Sequence, residues 1–324
     1  MMKLKTALAS IISLVMIMSF AGCSGEGSST DTTSGTGTSA TTEATTTTVE
    51  EKSYMEKYAD LIEELAPAEI VTVKEGVEYP KFQKYMYYSN TAKRDTPVNV
   101  LLPNGYSEDK EYPVLYILHG YYDNQDWMAR DVVKLNIMYQ NLLDAGEIEE
   151  MIVVCPYIFC SEELQWCTGM DTQNTLAYDN FINDMFTDLM PFIEENFAVS
   201  KEADDTAITG FSMGGRESLF IGFSHPEEFS YIGGICPAPG LVNGTGWPYN
   251  LEPADLSFTD VVPKLVLISS SNSDGVVGPN PATYDKLMTE NGVDHLWHVM
   301  QSTGHDHSSV TPALYNFMRL IFKE

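Results

Sequence analysis

Asp205-Thr206-Ala207-Ile208-Thr209-Gly210-Phe211-Ser212-Met213-Gly214-Gly215-Arg216-Glu217-Ser218-Leu219-Phe220-Ile221 is the stretch whose reading decides the fold. It opens on a short β-prone run and closes on a helix-like one. Between them stands Gly-x-Ser-x-Gly, a turn so sharp that the serine takes a strained backbone conformation and its hydroxyl is pushed out above the sheet. Glycines are needed on either side because a Cβ there would collide with the neighbouring strand or helix. Five residues alone would also suit a structural Gly-rich turn. The strand before and the helix after point to a nucleophilic serine.

Such a strand–elbow–helix unit belongs to the α/β-hydrolase fold, where an acid and then a histidine follow the serine in the chain. Of the six histidines, only His295, His298, His305 and His307 lie well beyond Ser212. His295 and His298 sit in Asp294–Met300, whose alternation reads as a strand, and are expected on the sheet face. His305 falls in the loop directly after that strand, where catalytic residues of open α/β sheets gather. It is the expected base, with His307 as the fallback. The run His305-Asp306-His307 lacks a spaced partner and is a weak zinc signal, so no metal is expected.

The acid should follow the preceding strand. Val261–Ile268 is apolar enough for a strand buried on both faces. It runs into Ser269–Gly275, a polar loop whose only carboxylate is Asp274. Asp-Gly is also a common turn pair, but position and chain order favour Asp274 as the group that orients His305. The oxyanion donors are expected to be two backbone amides. One is Tyr121, after the strand Val114–Leu118 and His119-Gly120; the other is Met213, after the nucleophile. His119 precedes Ser212 and is expected to be structural.

Taken together, Tyr116-Ile117-Leu118-His119-Gly120, Gly210–Gly215 and Gly304-His305-Asp306 resemble the esterase D and carbohydrate esterase family 1 group. That group includes feruloyl esterases, acetylxylan esterases and the antigen 85 acyltransferases. The resemblance runs from about Val71 to the C-terminus and includes an expected helix over Asp184–Phe197. It implies a single-domain serine esterase without a cofactor, with Ser212, Asp274 and His305 as the triad and Tyr121 and Met213 as oxyanion donors. Two places depart from the group. Tyr121-Tyr122-Asp123 stands where a Gly-rich run is common, and His307 stands where Trp often follows the His-Asp pair.

The N-terminus bears on location. Lys3 and Lys5 precede an apolar run from Ala7 to Phe20 that ends at Ala21-Gly22-Cys23. This resembles a bacterial lipoprotein signal over residues 1–22, cleaved before Cys23 with lipid on its sulfur; an ordinary secretory peptide is the alternative. The run is too short to span a membrane comfortably. Residues 23–49 are Ser- and Thr-rich, have nothing to bury and read as a disordered tether. Residues 50–324 then suit one α/β domain.

In that domain a short helix is expected over Tyr54–Leu65 and two or three antiparallel strands within Ile70–Leu102. Strands at 113–118, 151–155, 206–210, 230–236, 264–269 and 296–300 alternate with helical stretches. This gives a mostly parallel central sheet with helices on both faces. The formal charge of −28 becomes −30 once Lys3 and Lys5 are removed. Such a surface repels nucleic acid and suits a neutral or cationic substrate. Cys160 and Cys167 could close a loop, or Cys155, Cys160, Cys167 and Cys236 all stay reduced.

Tyr121, Tyr122, Trp127, Trp166 and Trp247 fall in loops after expected strands, where a sugar ring or phenolic acid could stack. The expected whole is a surface-tethered serine esterase that removes feruloyl or acetyl groups from plant cell-wall polysaccharide such as xylan. The alternatives are acyl transfer of the antigen 85 type, or a non-catalytic carbohydrate-binding lipoprotein on an esterase scaffold.

Overall fold

Runs of β-branched, aromatic and leucine side chains build the sheet. Its strands are β1 (Gln83–Ser89), β2 (Arg94–Leu101), β3 (Val114–Leu118), β4 (Ile152–Pro156), β5 (Thr206–Gly210), β6 (Tyr231–Ile235), β7 (Leu265–Ser271) and β8 (Leu296–Met300). The computed structural model describes residues 52–323, apart from Asp131 and Pro248. The expected signal segment, the lipidation position Cys23 and the Ser/Thr-rich tether lie outside the described residues. Among the described residues no helix is long and apolar enough to cross a membrane.

Strand order is β1-β2-β4-β3-β5-β6-β7-β8. β1 pairs antiparallel with β2, and β2 with β4, while every other pair is parallel. β1 is an edge strand and carries Lys84 and exposed Met86 and Tyr88, whereas β3, β4, β5, β6 and β7 are buried along their whole length. That is the pattern of parallel strands covered on both faces.

The pleat sorts side chains into two cores. Val114, Tyr116 and Leu118 of β3 join Ile208, Ile232, Val266 and Ile268 in one; Leu115 and Ile117 join Ala207, Tyr231, Leu265 and Leu267 in the other. The helices are α1 (Tyr54–Tyr58), α2 (Leu135–Asp144), α3 (Thr172–Asp179), α4 (Phe181–Asp184), α5 (Met190–Asn196), α6 (Met213–Ser224), α7 (Asn280–Glu290) and α8 (His307–Leu320). Side chains of α3 to α7 fill the first core; those of α1, α2 and α8 fill the second. This is the expected α/β-hydrolase arrangement.

Two elements differ from expectation. The helix from Tyr54 ends at Tyr58 and passes through a 3-10 turn, Ala59–Leu61. Asn316 on α8 takes both backbone groups of Glu63, at 2.9 and 2.7 Å, and so competes with further helix. The helix expected over 184–197 forms, but it runs from α4 into α5 through a π-turn at Met185–Leu189. Pro191 lacks the N–H that a regular α-helix would use there, and the wider turn absorbs the loss.

Candidate active site

The elbow is held by its backbone. Ser212 sits between β5 and α6 at φ 57° and ψ −114°, a region that non-glycine residues rarely occupy. Its amide donates to the Ile235 carbonyl at 2.9 Å, and that of Phe211 to the Leu118 carbonyl at 3.0 Å, so β6 and β3 clamp the turn from either side. Nothing larger than glycine fits around it. A Cβ on Gly210 would lie 2.4 Å from the Gly214 carbonyl oxygen, and one on Gly214 would lie 2.3 Å from that of Leu118.

The ends of three parallel strands converge here. His305, in the loop between β8 and α8, places Nε2 2.8 Å from Ser212 Oγ and Nδ1 2.6 Å from Asp274 Oδ2. Asp274 follows β7 and is buried. Its other oxygen accepts the amides of Val276 and Val277 at 2.9 and 3.2 Å. The His305 loop is pinned by Ser271, whose hydroxyl donates to the Thr303 carbonyl, and by Ser308 Oγ, which accepts the Gly304 amide at 3.0 Å. Phe211 packs its ring on His305 at 4.5 Å, and Trp127 stacks on Phe211 at 5.3 Å and 7°.

Cys236 adds its thiol to this cluster, and ligand-type atoms of Cys236, Asp274 and His305 lie within 4.8 Å of one another. Burial, then the nearby Asp274 carboxylate, pushes the thiol up to about 12. Cys236 is therefore a protonated thiol at neutral pH.

Tyr121 follows β3 through His119 and Gly120. Met213 opens α6, where backbone N–H groups have no partner within the helix and the helix dipole is positive. Neither amide hydrogen-bonds to another described residue. Gly120 is tight against the nucleophile, since a Cβ on it would lie 3.4 Å from Ser212 Cβ. His119 donates Nδ1–H to the Gly120 carbonyl at 2.8 Å and accepts the Ile158 amide on Nε2 at 3.1 Å. Burial pushes its pKa down to about 4, so this histidine is neutral and braces the loop.

A mostly apolar cavity of about 370 Å³ opens on Ser212. Tyr121, Met170, Thr175, Trp247, Val276 and Val277 are among the residues that wall it.

The family described as "Putative esterase" matches residues 89–276, more than half of the chain. The chain belongs to this esterase family. A CE1 ferulic acid esterase from the anaerobic fungus Anaeromyces mucronatus is 34% identical, with a TM-score of 0.76, over 81% of this chain and 97% of that one. Its structure in complex with ferulic acid matches at 33% identity over the same shares, also with a TM-score of 0.76. An endo-1,4-beta-xylanase/feruloyl esterase from Xylanibacter ruminicola is 28% identical over 166 residues, which is 49% of this chain and 22% of that relative. An endo-1,4-beta-xylanase Y from Acetivibrio thermocellus is 27% identical over 134 residues. The chain thus spans about a fifth or less of these two curated relatives, 22% and 11% of their lengths.

Within this esterase-family chain the aromatic residues singled out by sequence separate. Trp247 walls the cavity beside Ser212. Tyr122 is 55% exposed, sits edge-on to Tyr121 and is outside the cavity lining. Trp127 backs Phe211 and so supports His305 from behind. Trp166 is 63% exposed and borders a separate surface groove with Arg94 and Tyr157. Each lies in a loop after a strand, but only the fold decides which loop turns inward. His307, the fallback base, begins α8 and faces another cavity with Leu65, Val71 and Pro312. His298 lies buried in β8 against Ser269, and His295, in the turn before β8, pairs with Asp285. All four described cysteines are free.

Sequence reading missed the other walls, Met170–Thr172, Thr175 and Val276–Val277. It also missed what stands behind Trp247. Arg216 on α6 is fully buried; it bonds Asp179 at 2.6 Å, pairs with Glu217, and donates to the carbonyls of Gly240 at 3.2 Å and of Tyr249. Asp179 also accepts the Tyr249 amide at 2.8 Å. The guanidinium lies 4.5 Å from the Trp247 ring centroid. Burial pushes the Glu217 carboxyl up to about 8, against the pull of Arg216 and with the push of Asp179.

Proposed function

We propose that this chain is a serine esterase that releases feruloyl groups from plant cell-wall xylan through an acyl-enzyme. The observation that carries the reading is the hydrogen-bonded row Ser212–His305–Asp274 at the mouth of an apolar cavity walled by Tyr121 and Trp247. An aromatic acyl group suits such walls. An acetyl group would leave most of the cavity of about 370 Å³ empty, which favours feruloyl over acetyl. The ferulic acid esterase and the xylanase/feruloyl esterase among its relatives support the same substrate class.

In this reading His305 Nε2 takes the Ser212 proton as Oγ attacks the ester carbonyl. Asp274 stays ionised, holds the imidazole by Nδ1–H and stabilises the imidazolium. The Tyr121 and Met213 amides take the negative charge that develops on the carbonyl oxygen. Collapse of the tetrahedral intermediate expels the sugar alcohol, which takes the proton from His305. Water, activated by the same histidine, then frees the acid. The signal and tether read from sequence add that Cys23 carries a lipid and holds the domain at a bacterial cell surface.

The test is release of ferulate and acetate from feruloylated, acetylated arabinoxylan in one reaction. Ferulate release by wild type and none by Ser212→Ala is the expected result. Acetate alone would overturn the feruloyl reading, and neither acid would overturn the xylan substrate. Labelled palmitate incorporated by the wild-type chain and lost in Cys23→Ala is the expected result for the anchor; no incorporation would contradict it.

A further inference from the structure

Asp123 has no place in the mechanism above, yet it stands at the nucleophile. A Cβ built on Gly120 would touch Asp123 Oδ2 and Ser212 Cβ at the same 3.4 Å, so that glycine separates the carboxylate from the serine. The backbone fixes this position, because the Asp123 amide donates to the Gly120 carbonyl at 3.2 Å. The side chain is only partly exposed, and its oxygens hydrogen-bond to no other described residue. A half-buried carboxyl without a partner is costly unless something from outside completes it.

Which side of the serine it faces follows from the cavity. Tyr121, Ser212, Trp247, Val276 and Val277 wall the space for the acyl group, while Asp123 and His305 are outside that lining. The leaving oxygen has to come within reach of His305 Nε2, which protonates it. The alcohol therefore lies on the His305 side of Ser212. The Cβ position on Gly120 that meets Asp123 Oδ2 also meets the Phe211 ring at 3.3 Å, and that ring packs on His305 at 4.5 Å, so the carboxylate lies toward the His305 side.

We infer that Asp123 is a specificity-determining residue for the alcohol half of the ester, its carboxylate accepting a hydrogen bond from a free hydroxyl of the departing sugar. This rests on the esterase reading above. Burial pushes the Asp123 carboxyl up to about 6, with Arg130 and His305 pulling it down, so at neutral pH it is mostly an acceptor. A sugar hydroxyl beside the ester oxygen can satisfy it; the methyl group of a simple ester cannot. The resulting preference is for polyol esters over alkyl esters of the same acid.

The experiment compares kcat/KM on a feruloyl arabinofuranose ester and on methyl ferulate for wild type, Asp123→Asn and Asp123→Ala. Loss of one charge-assisted hydrogen bond predicts a sugar-to-methyl ratio about tenfold lower in Asp123→Ala, mostly through KM on the sugar ester. Asp123→Asn, which keeps the shape and a neutral acceptor, should fall between. Methyl ferulate turnover by the variants reports that the site is still folded. A ratio unchanged in both variants would overturn the role of Asp123 and leave the esterase reading standing. Wild type inactive on both esters would overturn that reading, and the role of Asp123 with it.

Discussion

Ser212 and Trp247 face one cavity but are held there by different means. Backbone holds Ser212, through two glycines that admit no Cβ, two amide bonds to neighbouring strands and a strained φ of 57°. Side-chain charge holds the Trp247 loop: Arg216 grips the Gly240 and Tyr249 carbonyls from inside and Asp179 takes the Tyr249 amide. The contrast separates two tasks. The reacting atoms are placed by the geometry of the sheet, which few substitutions can alter by degrees. The acyl wall hangs from buried ions, which substitution and pH can tune.

Removing the nucleophile is the largest way to sharpen the contrast. Ser212→Ala should lower kcat by about five orders of magnitude with little change in melting temperature; turnover within tenfold of wild type would break it. Gly214→Ala attacks the backbone instead, bringing a methyl to 2.3 Å from the Leu118 carbonyl oxygen. Overpacking of this kind costs about 1–3 kcal/mol or more, so melting should fall by several degrees and activity with it. Calorimetry that finds an unchanged melt would show the elbow to be softer than its contacts imply.

On the wall side, Arg216→Met leaves Asp179 and Glu217 buried without their cation, a change that typically costs about 3–5 kcal/mol. A lower melting temperature is expected, with a rise in KM for methyl ferulate larger than the fall in kcat. An effect on kcat alone would put Arg216 among the groups that serve the chemistry. Trp247→Ala should raise KM for methyl ferulate by about tenfold and affect an acetyl ester less.

A further expected effect is in pH. Glu217 is raised from its ordinary 4.5 to about 8, so the folded state holds the proton more tightly than the unfolded chain. Its contribution to stability is complete below about pH 4.5 and is lost as pH rises through about 8. Melting temperature should therefore decline over that window in wild type and decline less in Glu217→Gln. Parallel curves would remove Glu217 from the account.

What could be read from sequence was local. Strand, glycines and helix around Ser212 lie within one short stretch, and β5 spans Thr206–Gly210 as expected. The chain order Ser212, Asp274, His305 follows from the loops after β5, β7 and β8, and the structure brings all three within hydrogen-bond reach. What was not legible depends on tertiary contact. Asp179 and Arg216 are 37 residues apart and meet only because α3 and α6 cover the same face. Trp166 and Trp247 both fall in loops after strands, yet one ends in solvent and the other against a guanidinium. Asp123 was visible only as a departure from a Gly-rich run; its nearness to Ser212 needed the fold.

The most direct test of the account is to quench a reaction with methyl ferulate in acid during turnover and read the peptide masses. The account predicts one feruloyl group on the peptide that carries Ser212, and none in Ser212→Ala. Feruloyl on another residue, or full hydrolysis by Ser212→Ala, would contradict it.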